Sequence, residues 1–300
     1  MSAFLDRVTS GATPLLLDGG LGSMLIAEGL ESGAAPEAWN VSHPERVTRV
    51  HRAYVAAGSD AVQTNTFGGN ALRLARFELG ASLAELNRRA VELARAAGPR
   101  FVVADVGPSG EYRPPVGHAD PAAWRAAFAE QARALASAGP DAFHHATMSD
   151  RGEARTALAA VREQAPGVPV MVAMTVERRK RGFYTIMGDA LAASLRALAE
   201  AGAAVVGANC TLTSPDMRAL AEEALAAATV PLVFQPNAGL PRLEGTHVHY
   251  DQSPEAFAED LAHIAALGAR VLGGCCGTGP AHIAALAARL RGGTTDGTAA

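Results

Sequence analysis

The chain repeats one unit eight times: a short apolar run rich in β-formers, a loop of Gly, Asn, Thr or Pro, then an alanine-rich stretch with helical spacing. The predicted strands fall at Pro14–Asp18, Asp60–Thr64, Phe101–Asp105, Asp141–His144, Val168–Val176, Ala203–Asn209, Pro231–Gln235 and Arg270–Leu272. The predicted helices are Pro44–Ala57, Ser82–Ala97, Pro121–Ala138, Arg151–Gln164, Asp189–Ala201, Ser214–Ala228, Pro254–Leu267 and Pro280–Leu290. Several open with a capping residue followed by proline, as in Asp120-Pro121 and Ser253-Pro254. Strict alternation implies parallel strands joined by right-handed crossovers, and eight units is the number that closes a (β/α)8 TIM barrel. A doubly wound open sheet is the alternative. The barrel is favoured because the unusual residues sit where strands end, which in a barrel is one face. A single barrel over residues 1–292 is expected, with the small, polar segment 293–300 as a disordered tail.

Three cysteines are placed at such ends: Cys210 after Ala204–Asn209, and Cys275 and Cys276 within Val271-Leu272-Gly273-Gly274-Cys275-Cys276-Gly277-Thr278. Adjacent side chains on a regular strand face opposite ways, so Cys275 and Cys276 converge only if the backbone leaves strand geometry among those glycines. Three thiolates on one centre would form a Zn2+ site with an open position, the arrangement of a reactive metal. The spacing is not that of a zinc finger, so the fold must bring Cys210 to the pair. The plainer alternative is three small buried hydrophobes. A disulfide is disfavoured by the odd count and by the strain of bridging neighbours.

The net charge of −4 gives no electrostatic case for nucleic acid or membrane binding. The first thirteen residues carry no signal-peptide-like apolar run, and no segment reads as a membrane span. With few cysteines as well, a soluble, cytoplasmic protein is expected.

The other strand ends are rich in small polar groups. Asp18-Gly19-Gly20 reads either as a capped turn or as a place where a ligand approaches the backbone while Asp18 fixes a polar group on it. Gln63-Thr64-Asn65-Thr66-Phe67 suits hydrogen bonding to a small substrate, although capping and turn formation would absorb part of it. Asn237 can offer an oxygen to a metal or a hydrogen bond to a ligand.

Taken together, Asp18-Gly19-Gly20, Thr64-Asn65-Thr66-Phe67, Gly207-Ala208-Asn209-Cys210, Pro236-Asn237-Ala238-Gly239 and Gly273-Gly274-Cys275-Cys276-Gly277-Thr278 resemble the zinc-dependent homocysteine S-methyltransferase family over about Leu15 to Leu290. The resemblance implies a barrel in which Cys210, Cys275 and Cys276 hold zinc. It also implies that Asp18, Gly19, Gly20 and Thr64 to Phe67, with Thr147, Asn209 and Asn237, bind the thiol acceptor. Zinc removes the thiol's proton, so no acid-base dyad is needed. A non-catalytic zinc- and ligand-binding barrel is the alternative from another class. A hydrolase using metal-bound water is disfavoured by three sulfur ligands. The donor is open among S-methylmethionine, S-adenosylmethionine, betaine, a methylated folate and a methyl-corrinoid protein, the last two requiring a carrier partner.

Two features depart from the resemblance. Relatives usually end strand four with Glu-Thr, the glutamate holding homocysteine's amino group, whereas this chain has Ala146-Thr147. His144 and His145 then stand as a replacement contact, a general base, an added ligand or plain packing. After strand five, Glu177-Arg178-Arg179-Lys180-Arg181-Gly182 brings basic residues to the same face, where it reads either as a solvated loop or, taken with the lost glutamate, as the mark of a more anionic acceptor or donor. Trp39 would offer a donor cation its ring face, or pack.

Overall fold

A computed structural model describes residues 2–244 and 247–292; the expected tail, 293–300, lies outside the described residues. Eight parallel strands form the barrel: β1 Leu15–Leu16, β2 Ala61–Gln63, β3 Phe101–Val106, β4 Ala142–Met148, β5 Val170–Met174, β6 Val205–Thr213, β7 Leu232–Asn237 and β8 Val271–Leu272. Their order around the sheet is β1-β8-β7-β6-β5-β4-β3-β2. The remaining seam, β1 to β2, is bridged by Asp60: its N–H donates to the Leu16 carbonyl at 2.8 Å and its carboxylate accepts from the Leu16 N–H at 3.0 Å. Helices cover the outside, each crossover returning the chain to the next parallel strand. All eight predicted units are present.

Alternation along each strand sorts the core into two shells. Phe101 and Val103 face inward with Leu15, Leu17, Ala61, Ala142, Met171, Val205, Val233 and Val271. Val102, Ala104 and Val106 face the helices. The N-terminal helix Ala3–Ser10, which the sequence reading did not assign, plugs the base of the barrel with Phe4 and Val8. Above the apolar layers the interior turns polar, and this change positions the site. Gln63, Asp105, His144, Asn209 and Gln235 continue the inward alternation at the strands' carboxyl ends.

Two local differences from the sequence reading matter. Strand β6 does not stop at Asn209 but continues through Cys210 to Thr213, with a break in register against β7 between Asn209 and Thr213. The basic run after β5 is not an open loop: Glu177–Arg179 pairs antiparallel with Gly182–Tyr184 as a hairpin. Within it Arg179 meets Glu177 at 2.5 Å, and Arg178 reaches Asp216 at 3.9 Å.

Candidate active site

The carboxyl-end face holds a cavity of about 540 Å³ lined by residues from seven of the eight strand ends and the segments beyond them. Cys210, Cys275 and Cys276 form part of it, each half-buried. Their sulfurs lie within 4.8 Å of one another, and Cys210 Sγ is 3.9 Å from Cys276 Sγ. Among the described residues this is the one group of three or more His, Cys, Asp or Glu able to hold a metal ion.

Local backbone geometry produces that convergence. Cys210 and Thr211 sit at φ of 61° and 58°, inside the β6 register break, so the strand kinks and turns the Cys210 thiol into the mouth. Such left-handed residues cost about 1–3 kcal/mol each, and they concentrate at functional sites. Thr147, at φ 60° in the break between β4 and β5, is a third. On the β8 side the strand ends at Leu272 and the chain turns through the two cysteines. Gly277 takes φ 78° beneath the Tyr250 ring, where a Cβ would come within 2.1 Å of Tyr250 Cγ. Gly20 lies so close to the Cys275 carbonyl that a Cβ would be 2.5 Å from its oxygen.

Polar neighbours hold the sulfurs in place. Asn209 accepts from the Thr147 N–H at 2.7 Å, donates to Thr147 Oγ1 at 2.9 Å, and approaches Cys275 Sγ at 3.9 Å. The Cys276 N–H donates to Asn237 Oδ1 at 3.1 Å. Hydrogen bonds from Cys210 and Cys275 draw Cys276 down to about 3, while the same mutual bonds push Cys275 well above the thiol range. Left to themselves, then, the three sulfurs favour one shared thiolate. Ionising all three needs a cation among them. A tetrahedral metal with sulfurs about 2.3 Å away sets them about 3.8 Å apart, close to the 3.9 Å between Cys210 and Cys276, so this donor set fits a metal ion.

Gly19, Gly20, Thr64, Asn65, Thr66, Phe67, Thr147 and Asn209 line the cavity with the cysteines. Several of their side chains are committed to the scaffold. Thr66 donates to the Asp105 carbonyl at 2.6 Å, and Asn65 donates to the Pro36 carbonyl at 2.7 Å. Five other expected site residues do not line it. Asp18 is fully buried beneath the floor, and its carboxylate accepts from Gln63 N–H at 2.9 Å and Nε2 at 3.1 Å, so it orients Gln63 instead of touching a ligand. Burial raises the Asp18 carboxyl to about 7, against those two bonds. Asn237 is spent on the Cys276 backbone. His144 Nδ1 donates to Gln63 Oε1 at 2.6 Å inside the barrel, whereas His145 faces out toward the Phe128 ring at 6.4 Å. Burial lowers both imidazoles to about 3, so they are neutral near pH 7. Trp39 is buried, with the Arg46 guanidinium 5.2 Å over its ring, so that face is already occupied.

The cavity also contains Gln63, from the polar run read at the end of strand two, and residues that sequence reasoning passed over: Glu37, Arg73, Asp105 and Gln235. The signal for Asp105 was an acid ending an apolar strand, the same position that drew attention to Asp18. None of the basic hairpin's residues lines the cavity.

Comparison with known proteins agrees with this arrangement. The family model for homocysteine S-methyltransferase matches residues 15–290. The chain is 32% identical over 285 residues to methionine synthase of Mycobacterium tuberculosis, covering 88% of this chain and 23% of that protein. It is 32% identical over 257 residues to that of Mycobacterium leprae, covering 81% and 21%. It thus spans less than a quarter of those relatives. The crystal structure of the homocysteine methyltransferase MmuM from Escherichia coli, in its metallated form, superposes with a TM-score of 0.80 at 27% identity, over 95% of this chain and 99% of that one. With the matched segment running from the first barrel strand to the last helix, and the cysteine-bearing ends of β6 and β8 both inside it, the chain belongs to the homocysteine S-methyltransferase family.

Proposed function

We propose that this protein is a zinc-dependent S-methyltransferase that transfers a methyl group to the sulfur of a small thiol such as homocysteine. The observation that carries this reading is the meeting of three cysteine sulfurs, within 4.8 Å of one another, in the wall of a cavity large enough for an amino-acid thiol and the reacting end of a donor. Cys210, Cys275 and Cys276 would hold the zinc, which would supply the acidity that makes a thiol with a pKa of about 8.5 a thiolate at neutral pH.

The chain's own residues do the rest. Asn209 ties the β4 end to the β6 end through Thr147, so the cavity wall opposite the β8 loop is fixed before a ligand arrives. Asn237 holds Cys276 from its backbone. Gly19 and Gly20 let the end of β1 pack directly on the cysteine loop, where a Cβ would come within 2.6 Å of the Thr278 oxygen and 2.5 Å of the Cys275 oxygen, and both line the cavity beside the thiols. Methyl transfer needs the donor carbon in line with the acceptor sulfur, and the cavity's opening at the strand ends is the approach it provides. A small sulfonium, a betaine, or a methyl group carried on a folate or corrinoid protein would all enter there.

The test is zinc content and the metal's coordination sphere by X-ray absorption, in anaerobically prepared wild type and Cys210→Ala. We expect one zinc per wild-type chain, a further sulfur ligand on adding the acceptor thiol, and loss of both in the variant. Protein without zinc, or zinc indifferent to every thiol, would move the reading to a non-catalytic binding barrel.

A further inference from the structure

We propose that Asp105 anchors a cationic group of the acceptor, the primary ammonium of an amino-acid thiol, supplying from β3 the carboxylate that β4 lacks at Ala146. The inference rests on the thiol-acceptor reading above and names what that acceptor must carry.

Three carboxylates stand at or under the cavity, and two are already engaged. Both oxygens of Asp18 accept hydrogen bonds from Gln63, and the side chain is fully buried. Glu37 accepts from the Gly68 N–H at 2.6 Å and feels the Arg73 charge. Asp105 differs: it lines the cavity, and its Oδ1 is buried with no hydrogen-bond partner. A buried oxygen without a donor makes this carboxylate costly to ionise as it stands, and a cation meeting the half-buried carboxyl group from the cavity would offset that cost.

Register places this carboxyl group where the replacement is needed. Asp105 pairs with His144, so its side chain shares the inner face with His144 and, two residues further along β4, with Ala146. Asp105 and Ala146 both line the cavity, on adjacent strands, and the alanine methyl leaves open the space a longer acid would occupy. Cations from the protein do not fill it. Among the described residues Arg73 is the one basic residue in the cavity lining, and it lies over the Phe67 ring at 5.3 Å, beside Glu37. With no cation beside it, burial first, then the charges of Asp18 and Glu37, hold the Asp105 carboxyl well above the carboxylate range. An arriving ammonium is what favours its ionised form. The lining therefore selects for a positive group at this point and against an acceptor that is anionic there.

Zinc-loaded wild type, D105N and D105N/A146E are titrated anaerobically by calorimetry with homocysteine and with 4-mercaptobutanoate, which lacks only the amino group. Wild type should bind homocysteine at least about tenfold more tightly; D105N should bring the two within about threefold, and D105N/A146E should restore the preference. If D105N does not fold or keep its zinc, D105S removes the same charge with less bulk and carries the comparison. No preference in wild type, or a preference untouched by the neutral variants, overturns the proposal. Turnover with the same thiols separates the two readings. Methylation without an Asp105-dependent preference removes the anchor and leaves the methyltransferase. An Asp105-dependent preference without methylation by any donor leaves the anchor and removes the methyltransferase. Failure of wild type to bind either thiol removes both.

Discussion

His144 and His145 are adjacent, fully buried and neutral, yet they face opposite shells of the barrel. His144 extends the Asp18–Gln63 chain under the cavity, while His145 sits against Phe128 with neither ring nitrogen partnered. Because the folded His145 has a pKa of about 3 and an unfolded histidine one of about 6.5, the unfolded state takes up protons first as the pH falls. Stability is thus full above about pH 6.5 and is lost on acidification toward pH 3, by about 1.4 kcal/mol per pH unit for each such histidine. His145→Leu should raise stability at neutral pH by about 1–3 kcal/mol, by removing two orphaned nitrogens, and should flatten the fall between pH 6.5 and 5. Urea unfolding at both pH values measures this; an unchanged slope would mean His145 is already protonated in the fold. Before the structure, the histidine pair carried equal claims to catalysis and to packing. Strand alternation alone leaves open which face holds the helices, and therefore which histidine is which. The cysteines were legible because three rare thiols fell at strand ends among glycines. Asp105 was not singled out, since its significance depends on an unpartnered oxygen and on its neighbour across β4, neither of which composition or spacing reveals.

The elements at the mouth do their work by departing from regularity. Strand positions and helix spans could be read from apolar periodicity, but the kinks at Thr147 and Cys210-Thr211 could not, because these are ordinary residues held at positive φ by surrounding contacts. The loop after β8 was more legible: adjacent cysteines require a turn, and Gly277 supplies its left-handed step. Gly277→Ala should strike this loop selectively. An alanine at φ 78° is strained, and its methyl would run into the Tyr250 ring packed on this turn next to Cys276. Zinc affinity should fall about tenfold to a hundredfold, the range seen when groups behind metal ligands are disturbed. Far-UV circular dichroism should be unchanged, because the eight strands do not depend on the turn. Competition with a chelator would measure the affinity, and a variant that retains wild-type zinc affinity would show that the loop can re-form without the glycine.

Closure of the whole barrel depends on a seam that the repeating pattern does not disclose. Seven strand pairs are parallel ladders, whereas β1 meets β2 through Asp60, whose main chain and carboxylate both bond to Leu16. That carboxylate also binds Arg7 at 2.8 Å, and Arg7 reaches the Thr13 and Pro14 carbonyls, so the N-terminal helix is fastened to the same joint that its Phe4 and Val8 plug from below. The ion pair is mostly buried, with side-chain exposures of 12% and 18%, so screening removes little of its strength. Asp60→Ala deletes the acceptor for Leu16 and leaves Arg7 without its counter-charge, which should cost about 2–4 kcal/mol. Asp60→Asn keeps an oxygen for Leu16 and loses only the charge, so it should cost roughly half as much. Urea midpoints for the two variants separate the contributions. If the seam closes the barrel as one cooperative unit, both midpoints move and the slope of the transition stays the same. If only the helix Ala3–Ser10 is released, a second, shallower transition appears while the main one is unmoved. Because Gly19, Gly20 and Thr64 to Phe67 extend from β1 and β2 directly above this joint, the first outcome also predicts weaker acceptor binding in Asp60→Ala.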